Sequence, residues 1–437
     1  MEGRPASLPL NARVSPTLAW PRAGVEFRDD GWDSRAPQLE PEGPPSVIIL
    51  GCRGIPASYG GFETFAERLA LHLNDHGWDV TVACQTEEAR PSDIWRGIRR
   101  VFHAGVGRGE LASIIFDARS VVAATRAAIG SGRDQPVILT LGYNTAVFGL
   151  LFRMLGIPNV VNMDGVEWRR KKWSRPVQAW FWANERMGAL LADHMVADHP
   201  AIATHLSRHS PSNKLSVIPY GAHPVVDAPT SPITALGLNP GGYALVVARP
   251  VPENSILEIV TAYSSKPRDY RLVALGDYHP DQNGYHAAVI QAAGPGVIFP
   301  GAIYDRDTLE ALRFNARLYV HGHTVGGTNP SLVEALGSGM AVLAHDNVYN
   351  RWVAGPEMRY FSDTQSCAEA MDDLLTSSSA PENVLAAMRA AARERFIETF
   401  TWPMVLDAYE KLLLRWVTSA RSAAAARRSA AVFSVVQ

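Results

Sequence analysis

Cysteine is scarce in this sequence. The 437 residues include three, Cys52, Cys84 and Cys367, which are widely separated and form no C-x-x-C pair. Scattered cysteines argue against a disulfide scaffold and against a cysteine-bound metal, and an odd number suits a reducing compartment. We interpret all three as buried free thiols, because unpaired cysteine packs like a small hydrophobic residue.

Long hydrophobic runs and an excess of either charge are also missing. A membrane span needs about 18 or more continuous apolar residues, but the best candidate, 147–157, is short and interrupted by Arg153. The N-terminus lacks the apolar core of a signal peptide. The formal net charge of -2 provides no global attraction to nucleic acid. We therefore predict a cytoplasmic protein without a nucleic-acid partner, which can still associate peripherally with the inner face of the cell membrane.

The chain is too long for one hydrophobic core, because domains usually hold roughly 100–200 residues. Residues 1–45 are rich in Pro and Gly without periodicity and are predicted to be a disordered extension. From residue 46 onward, short apolar runs alternate with amphipathic stretches, which predicts a parallel sheet covered by helices on both faces. The Pro- and Gly-rich segment 218–242 is interpreted as a linker, and a second alternation begins at Tyr243.

These patterns predict an α/β chain with two Rossmann-like domains whose parallel sheets face each other across a cleft. We assign 46–222 to the N-terminal domain and 223–396 to the C-terminal domain. A helix at 397–420 is expected to pack back on the N-terminal domain, and 421–437 is expected to be a flexible tail. Ligands of such sheets bind at the carboxyl ends of the strands, so the loops after strands are the candidate site.

The first such loop follows the strand at 47–50 and ends at Gly60 and Gly61, where a helix begins. Free backbone N–H groups and the positive end of the helix dipole favour a phosphate there, and glycine allows close approach of the backbone. The loop has neither the spacing of G-x-G-x-x-G nor the GK[ST] of a P-loop. These differences argue against a nicotinamide dehydrogenase and against an ATP site.

Arg249 follows the first strand of the second domain, in the segment ARPVPEN. A guanidinium at the carboxyl end of a strand is suited to bidentate binding of phosphate. A surface arginine on a proline-rich turn is the alternative interpretation.

A third loop, HGHTVGGTNPSLVEAL, begins at His321 and leads into a helix at Pro330, with Asn329 as its cap. This helix start again offers N–H groups to a phosphate. Glu334 lies about one turn into the helix and is suited to accept hydrogen bonds from ribose hydroxyls. His321 and His323 could be metal ligands, but no carboxylate completes such a site, and we predict no metal.

A fourth segment, MDGVEWRRKKW, carries Asp164 and Glu167 at a strand end, as candidates for a general base or for binding sugar hydroxyls. Cations and aromatic residues follow, and such a mixture suits lipid headgroups at a membrane surface. In the alternative interpretation, the tryptophans belong to the hydrophobic core and the charged residues form a solvated face. The candidate membrane-binding residues are Arg169, Arg170, Lys171, Lys172 and Trp173.

Together, RGIPASYGGFET, MDGVEWRRKKW, ARPVPENS and HGHTVGGTNPSLVEAL resemble glycosyltransferase family four, of GT-B fold, and in particular its bacterial rhamnosyltransferase-like branch of capsule and exopolysaccharide synthesis. The resemblance implies a nucleotide diphosphate sugar as donor, retention at the anomeric carbon, and no essential metal or other cofactor. It makes the N-terminal domain the acceptor domain and the C-terminal domain the donor domain.

The resemblance also implies roles for individual residues. Gly60 and Gly61 would supply backbone to the donor diphosphate, and Arg249 would bind it. Ser331 and Leu332 would offer N–H groups, and Glu334 would hold the ribose. The donor-binding set therefore contains Gly60, Gly61, Arg249, Asn254, Thr328, Asn329, Ser331, Leu332 and Glu334, and the catalytic candidates are Asp164 and Arg249.

Two positions depart from the family pattern. Asn254 stands where the family usually has lysine, and Gly326 replaces the first glutamate of its paired-glutamate motif. The second change suggests that Thr328 and Asn329 contact a deoxysugar with fewer hydroxyls. We predict transfer of a sugar such as rhamnose to a lipid-linked or glycan acceptor. The alternatives are a nucleotide-sugar 2-epimerase, which needs no acceptor, and a non-catalytic nucleotide-sugar-binding component.

Overall fold

The computed structural model describes residues 43–435 except 59, 89, 106–109, 132–134, 171 and 376–381, and it describes no side chains at 110, 111 and 419–435. The predicted extension at 1–45 therefore lies almost entirely outside the described residues. Lys171 and the last two residues of the predicted tail lie outside them as well.

The described chain contains fourteen β-strands. They are β1 Ser46–Leu50, β2 Asp79–Thr86, β3 Asp93–Trp95, β4 Ile98–Ala104, β5 Val137–Leu141, β6 Asn159–Asn162, β7 His194–Ala197, β8 Leu215–Val217, β9 Tyr243–Val247, β10 Arg271–Leu275, β11 Val297–Ile298, β12 Leu318–His321, β13 Val342–His345 and β14 Arg359–Phe361.

Fourteen α-helices lie between and after these strands in the described residues. They are α1 Gly61–Asp75, α2 Glu110–Gly130, α3 Leu150–Leu155, α4 Arg175–Leu191, α5 Pro200–Leu206, α6 Ser231–Ala235, α7 Ile256–Ser264, α8 Gly284–Gln291, α9 Arg306–Phe314, α10 Pro330–Gly337, α11 Val348–Ala354, α12 Thr364–Leu375, α13 Glu382–Thr399 and α14 Trp402–Val435. Short 3₁₀ helices cover Ala146–Gly149, Glu167–Arg169, Ser212–Lys214 and Pro252–Asn254.

The first domain is an eight-stranded sheet in the order β3-β4-β2-β1-β5-β6-β7-β8, parallel except for β3. Side chains of β1 alternate between two cores because successive residues of a strand point to opposite faces. Val47 and Ile49 pack with α1 and α14, whereas Ile48 and Leu50 pack with α2 and α3. Helices thus cover both faces, as the apolar composition of the strand predicts.

The second domain is a six-stranded parallel sheet in the order β11-β10-β9-β12-β13-β14. Its strand order reverses between β9 and β12, as the order of the first sheet does between β1 and β5. In open sheets of this kind, the crevice at the carboxyl ends of the two central strands is the place where ligands bind. The prediction of two Rossmann-like domains is therefore confirmed, and each has one such crevice.

The C-terminal helix returns to the first domain. Ala222 and Thr401 form an isolated parallel bridge where the chain crosses back. Beyond it, α14 packs on the first core through buried residues such as Val405 and Leu412. Tyr409 accepts a 2.7 Å hydrogen bond from the Asn162 amide at the end of β6. The helix continues to Val435, through most of the segment that we predicted as a flexible tail.

The three cysteines are free and buried, which confirms their interpretation from the sequence. Burial raises the pKa of the Cys52 thiol to about 12, so this thiol is un-ionised at neutral pH. Within the described part of the chain, no helix has both the length and the apolarity needed to cross a bilayer.

Candidate active site

Two helix N-termini meet where the domains face each other. A Cβ atom built on Gly61, at the start of α1, would lie 3.4 Å from Cγ of Pro330, the first residue of α10. Gly61 and Pro330 belong to different domains, and each begins the helix that follows a loop at its sheet's switch point. Partial positive charges of both helices therefore converge on one place, which favours an anion there.

The loop before α1 is shaped by glycine and held by carboxylates of the helix. Gly51 has a φ of 84°, and a Cβ there would lie 2.1 Å from the Leu141 carbonyl oxygen at the end of β5. Glu63 and Glu67 accept hydrogen bonds of 3.2 and 2.6 Å from the backbone N–H groups of Arg53 and Ala57. Gly60, with a φ of 99°, precedes the helix without a capping side chain.

The Arg249 loop is tied to the loop after β12. Asn254 is buried, and its amide nitrogen donates a 2.8 Å hydrogen bond to the carbonyl of Arg249. The backbone N–H of Thr324 donates to the carbonyl of Glu253 at 2.9 Å. A Cβ on Gly322 would lie 2.1 Å from the carbonyl oxygen of Asn254. Asn254 thus braces a loop from which the Arg249 side chain is exposed, and its predicted contact with the donor stays a prediction.

The start of α10 is capped as the sequence predicts. The Asn329 side-chain oxygen accepts hydrogen bonds from the backbone N–H of Ser331 at 3.1 Å and from its hydroxyl at 2.9 Å. The N–H of Leu332 donates to the carbonyl of Asn329 at 3.1 Å. Both amides that the resemblance assigns to the diphosphate therefore already have acceptors, and their binding role stays a prediction.

Glu334 is held in place by an ion pair with Arg313 of α9. The Arg313 side chain is 8% exposed, whereas that of Glu334 is 37% exposed, so the carboxylate reaches the surface from a buried anchor. Arg313 was not predicted from the sequence, although its position four residues after Leu309 puts it on the apolar face of this short amphipathic helix. A carboxylate fixed in this way is suited to accept hydrogen bonds from vicinal hydroxyls.

Asp164 occupies a strained backbone position just after β6. Its φ is 50°, in the left-handed region, which is costly for a residue with a side chain and is often found at functional sites. Its N–H donates a 3.0 Å hydrogen bond to the Asn162 side chain. Burial, and then the negative charge of Glu167, raise the pKa of the Asp164 carboxyl to about 6.

A second acid, Asp198, joins the two domains and was missed by sequence analysis. It follows β7, and its side chain accepts a 2.8 Å hydrogen bond from the N–H of Thr328 in the second domain. The Thr328 hydroxyl donates to the carbonyl of Asp198. Burial, together with the charge of Asp164, raises the pKa of Asp198 to about 7. Thr328, predicted to contact the donor, is therefore already engaged in a contact between the domains.

Part of the basic and aromatic segment after Asp164 faces the second domain. Arg170 donates to Glu167 at 2.7 Å and to Glu253, across the cleft, at 2.7 Å. Trp173 donates to Glu167 at 3.1 Å and packs in a core cluster. Carboxylates therefore already bind Arg170 and Trp173, and the predicted contact of this segment with an anionic membrane stays a prediction.

Positive charge remains at the rim of the cleft. Arg169 and Lys172 are exposed. Burial of the ammonium, and then the charges of Arg170 and others including Arg249, lower the pKa of Lys172. The ion pair of Arg170 with Glu253 joins the segments that carry Lys172 and Arg249, so each domain presents an exposed cation close to this ion pair. Such a pair of cations is suited to a ligand that carries more than one negative charge.

The two histidines of the third loop form a stacked pair. The rings of His321 and His323 lie 4.3 Å apart with 9° between their planes. Burial, and then the charge of Arg249, lower the pKa of His323 to about 3, and burial holds the pKa of His321 well below its usual range. Both rings are therefore neutral at physiological pH and pack against each other beside the cleft.

The structure thus brings Gly61 and the start of α10 into contact and ties the Arg249 loop to the loop after β12. It joins the two domains through hydrogen bonds between Asp198 and Thr328. Asn254 and Asn329 instead hold their own loops by hydrogen bonds.

Comparison with known proteins gives two results for the sequence itself. A family model described as a domain of unknown function, DUF1972, matches residues 45–223, which correspond to the first domain. None of the curated protein sequences matches the chain significantly.

Solved structures match nearly the whole chain. A sucrose-phosphate synthase from Thermosynechococcus elongatus has a TM-score of 0.70 and 17% identity, with 86% of this chain and 100% of that chain covered. Anabaena HepE, in complex with UDP and glucose, has a TM-score of 0.66 and 15% identity over 85% and 100%. An α,α-trehalose 6-phosphate synthase from Burkholderia multivorans has a TM-score of 0.66 and 12% identity over 86% and 100%.

These likenesses extend across both domains, and both sheets have parallel central strands whose loops meet at one cleft. The chain therefore has the GT-B fold.

Proposed function

We propose that this protein is a retaining glycosyltransferase that moves a sugar from a nucleotide diphosphate donor to a lipid-linked or glycan acceptor in surface polysaccharide synthesis. The proposal depends on one observation, the contact between the N-termini of α1 and α10 across the cleft. That arrangement collects the positive ends of two helices at one point, where a diphosphate is the simplest ligand. The proteins of similar fold include HepE, whose structure contains UDP and glucose.

The charges of the cleft support a nucleotide diphosphate in particular. Arg249 and Lys172 are exposed cations of different domains, on segments that the Arg170–Glu253 ion pair joins. Glu334 is anchored by Arg313 one turn beyond the start of α10, so a ribose bound there would have its hydroxyls beside the carboxylate. We propose that these cations and the two helix dipoles neutralise the diphosphate without an essential metal.

The proposed reaction needs no protein nucleophile. The bond between the anomeric carbon and the diphosphate oxygen breaks, and a bond to the acceptor hydroxyl oxygen forms on the same face. The hydroxyl proton passes to the departing diphosphate. Arg249 stabilises the charge that develops on the leaving group, while Asp164 binds the acceptor or assists in removing its proton.

The donor sugar is proposed to be a deoxysugar such as rhamnose. Gly326 has a φ of 129°, a conformation that side chains rarely adopt. A Cβ on the facing Gly165 would lie 3.8 Å from the Cα of Gly326. The backbone at this position therefore disfavours the glutamate of the family pattern. A sugar with fewer hydroxyls needs fewer such partners.

A lipid-linked acceptor is supported by an exposed surface of the first domain. On α3, four apolar side chains are exposed, Leu150, Leu151, Met154 and Leu155. The neighbouring α4 exposes Trp180 and Trp182, and Arg186 stacks on the Trp182 ring at 3.7 Å. Exposed apolar and aromatic side chains with adjacent cations suit an anionic membrane surface. We therefore propose this surface, instead of Arg170 and Trp173, as the part that contacts the membrane.

A thermal-shift screen of nucleotide diphosphate sugars, followed by transfer assays with the best binder, tests the proposal. We expect stabilisation by uridine or thymidine diphosphate sugars and transfer to a lipid-linked diphosphate sugar with retained anomeric configuration. Formation of a new sugar nucleotide from donor alone would instead indicate a 2-epimerase. Donor binding with neither hydrolysis nor transfer would indicate a non-catalytic component. If no nucleotide sugar binds, the transferase proposal and both of these alternatives are refuted.

A further inference from the structure

A cluster of histidines and carboxylates lies at the end of α1 that is remote from the cleft. His72, in the last turn of α1, and His76, the residue that caps its C-terminus, are four positions apart and therefore lie on the same side of the helix. His72 is eleven residues after Gly61, which places it about 16 Å along the helix from the candidate active site. The cluster is consequently separate from the groups proposed to bind the donor.

The second half of the cluster comes from α14, more than three hundred residues later in the chain. Glu410 places Oε2 2.9 Å from Nε2 of His72 and 2.5 Å from Nδ1 of His76. Asp407, one turn earlier on α14, places Oδ1 3.6 Å from the same Nε2 of His72. Two imidazoles and two carboxylates therefore converge from two helices.

The carboxylate at the centre is oriented by a further residue. Trp78, just beyond the C-terminus of α1, donates a 3.2 Å hydrogen bond from Nε1 to Oε1 of Glu410. This leaves Oε2 directed at both histidines. A hydrogen bond from an outer residue that fixes a ligating carboxylate is a regular feature of metal sites. His76 is about half exposed, so an ion could enter from solvent.

The contacts within the cluster fit an ion that replaces protons. A single carboxylate oxygen accepts from two imidazole N–H groups, so a metal ion in place of these protons would bind the same three atoms. Ligand atoms around a tetrahedral Zn²⁺ lie about 3.3 Å apart, given metal–ligand distances near 2.0–2.1 Å. Opening the two contacts by less than about 1 Å would reach that spacing.

We propose that His72, His76, Asp407 and Glu410 form a binding site for a divalent transition-metal ion of the Zn²⁺ type. Imidazole and carboxylate ligands in a small tetrahedral set suit Zn²⁺ better than the oxygen-preferring Mg²⁺ or Ca²⁺. The ion would have no part in sugar transfer. It would join α14, which follows the second domain in the chain, to α1 of the first domain, and so stabilise the crossing at Ala222 and Thr401.

The test is a Zn²⁺ titration of the untagged, full-length protein after treatment with a chelator. Competition with a chromogenic chelator gives affinity and stoichiometry, and a thermal melt gives stability. We expect one bound ion per chain and a higher Tm with Zn²⁺. His76→Gln and Glu410→Gln should each weaken affinity by at least about 10-fold, the scale seen even for outer-shell changes.

A matched control is His279→Gln in the second domain. His279 pairs with Asp277 at 3.0 Å on the surface. In the part of the chain that the structure describes, no third His, Cys, Asp or Glu lies close enough to complete a metal site there. This variant should bind Zn²⁺ as the wild type does. Zero stoichiometry in the wild type, or an affinity unchanged by His76→Gln, would overturn the proposal. Because His76 is half exposed, its variant should remain folded, which circular dichroism and nucleotide-sugar binding would verify independently of the metal.

Discussion

Arg249 has an exposed side chain. Its guanidinium is proposed to stabilise the charge that develops on the leaving group. Arg249→Ala should lower turnover by roughly 10²–10³-fold, the scale for loss of one preorganised donor at a developing charge. The measurement is kcat with the best donor of the thermal-shift screen. Arg306→Ala, which removes an exposed arginine paired with Glu310 in the same domain, should leave kcat unchanged. Turnover of Arg249→Ala near that of the wild type would contradict the proposed role.

Asp164 combines a left-handed backbone with a pKa raised to about 6 by burial. If its carboxylate assists acceptor deprotonation, activity should rise with pH through about 6, because the ionised form is the active one. Asp164→Asn should lower kcat/KM by roughly 10²–10⁴-fold, the scale for general acid–base groups. The pH profile of the remaining activity should lose its acidic limb. Unchanged kinetics in Asp164→Asn would remove this residue from the mechanism.

The loops after β9 and β12 can contact each other only because a glycine lies between them. Gly322→Ala would bring a Cβ to 2.1 Å from the backbone oxygen of Asn254, so the loops must separate. We expect a loss of about 1–3 kcal/mol in the free energy of unfolding, as for other overpacked sites, with weaker donor binding. Gly284→Ala, at the start of α8 with no atom within 4 Å of its added Cβ, should be near neutral in both measurements.

The helix α3 has an exposed apolar side for which a membrane is the proposed partner. Met154 is 74% exposed there, and Ile397 on α13 of the second domain is 63% exposed. Met154→Asp should reduce sedimentation with vesicles containing anionic lipid, whereas Ile397→Asp should not. Equal loss in both variants would indicate general hydrophobic adhesion, and no loss in Met154→Asp would place membrane contact elsewhere.

At the scale of the molecule, Asp198 and Thr328 connect the domains through a buried carboxyl whose pKa is raised to about 7. In the unfolded chain this carboxyl ionises near its ordinary pKa of 3.8. Between these two pKa values the folded protein holds a proton that the unfolded chain has lost. The contribution of this carboxyl to the free energy of unfolding therefore falls as pH rises through that window. Asp198→Asn, neutral at every pH and still able to accept from Thr328, should therefore become increasingly favourable from pH 5 to pH 8.

The expected gain between pH 5 and pH 8 is on the order of 2–3 kcal/mol in the free energy of unfolding, since the raised pKa lies about two units above pH 5 and one unit corresponds to about 1.4 kcal/mol. Thermal or urea unfolding at both pH values measures it. Asp277→Asn, at a carboxylate that is 65% exposed, serves as the control and should show no such trend. A gain that is equal at pH 5 and pH 8 would show that Asp198 does not keep its proton in the folded state.

Much of the fold could be predicted because its signals are local. The apolar run at 47–50 lies in β1, and the glycines at 60 and 61 mark the start of α1. Asn329 caps α10 as the order Asn-Pro-Ser indicates. Strand composition, helix periodicity and capping each depend on residues within a few positions of one another, so one sequence is enough to recognise them.

Contacts between distant segments could not be predicted in this way. The sequence shows Gly61 and Pro330 as two separate helix starts, but only the packing of the domains places them in contact. It likewise shows Arg170 as one of several cations, and only the approach of Glu253 converts it into part of an ion pair between domains. Arg313 and Asp198 were missed because their partners lie 21 and 130 residues away.

The amino-acid sequence by itself therefore determined the order of strands and helices, the position of each glycine-rich turn that precedes a helix and the burial of the cysteines, because these follow from short-range sterics, capping and hydrophobic periodicity. The tertiary structure alone decided which turns share a cleft, which charges are neutralised and which histidines meet a carboxylate of α14. Those outcomes depend on side chains that are close in space and far apart in the chain, and no local pattern records their distance.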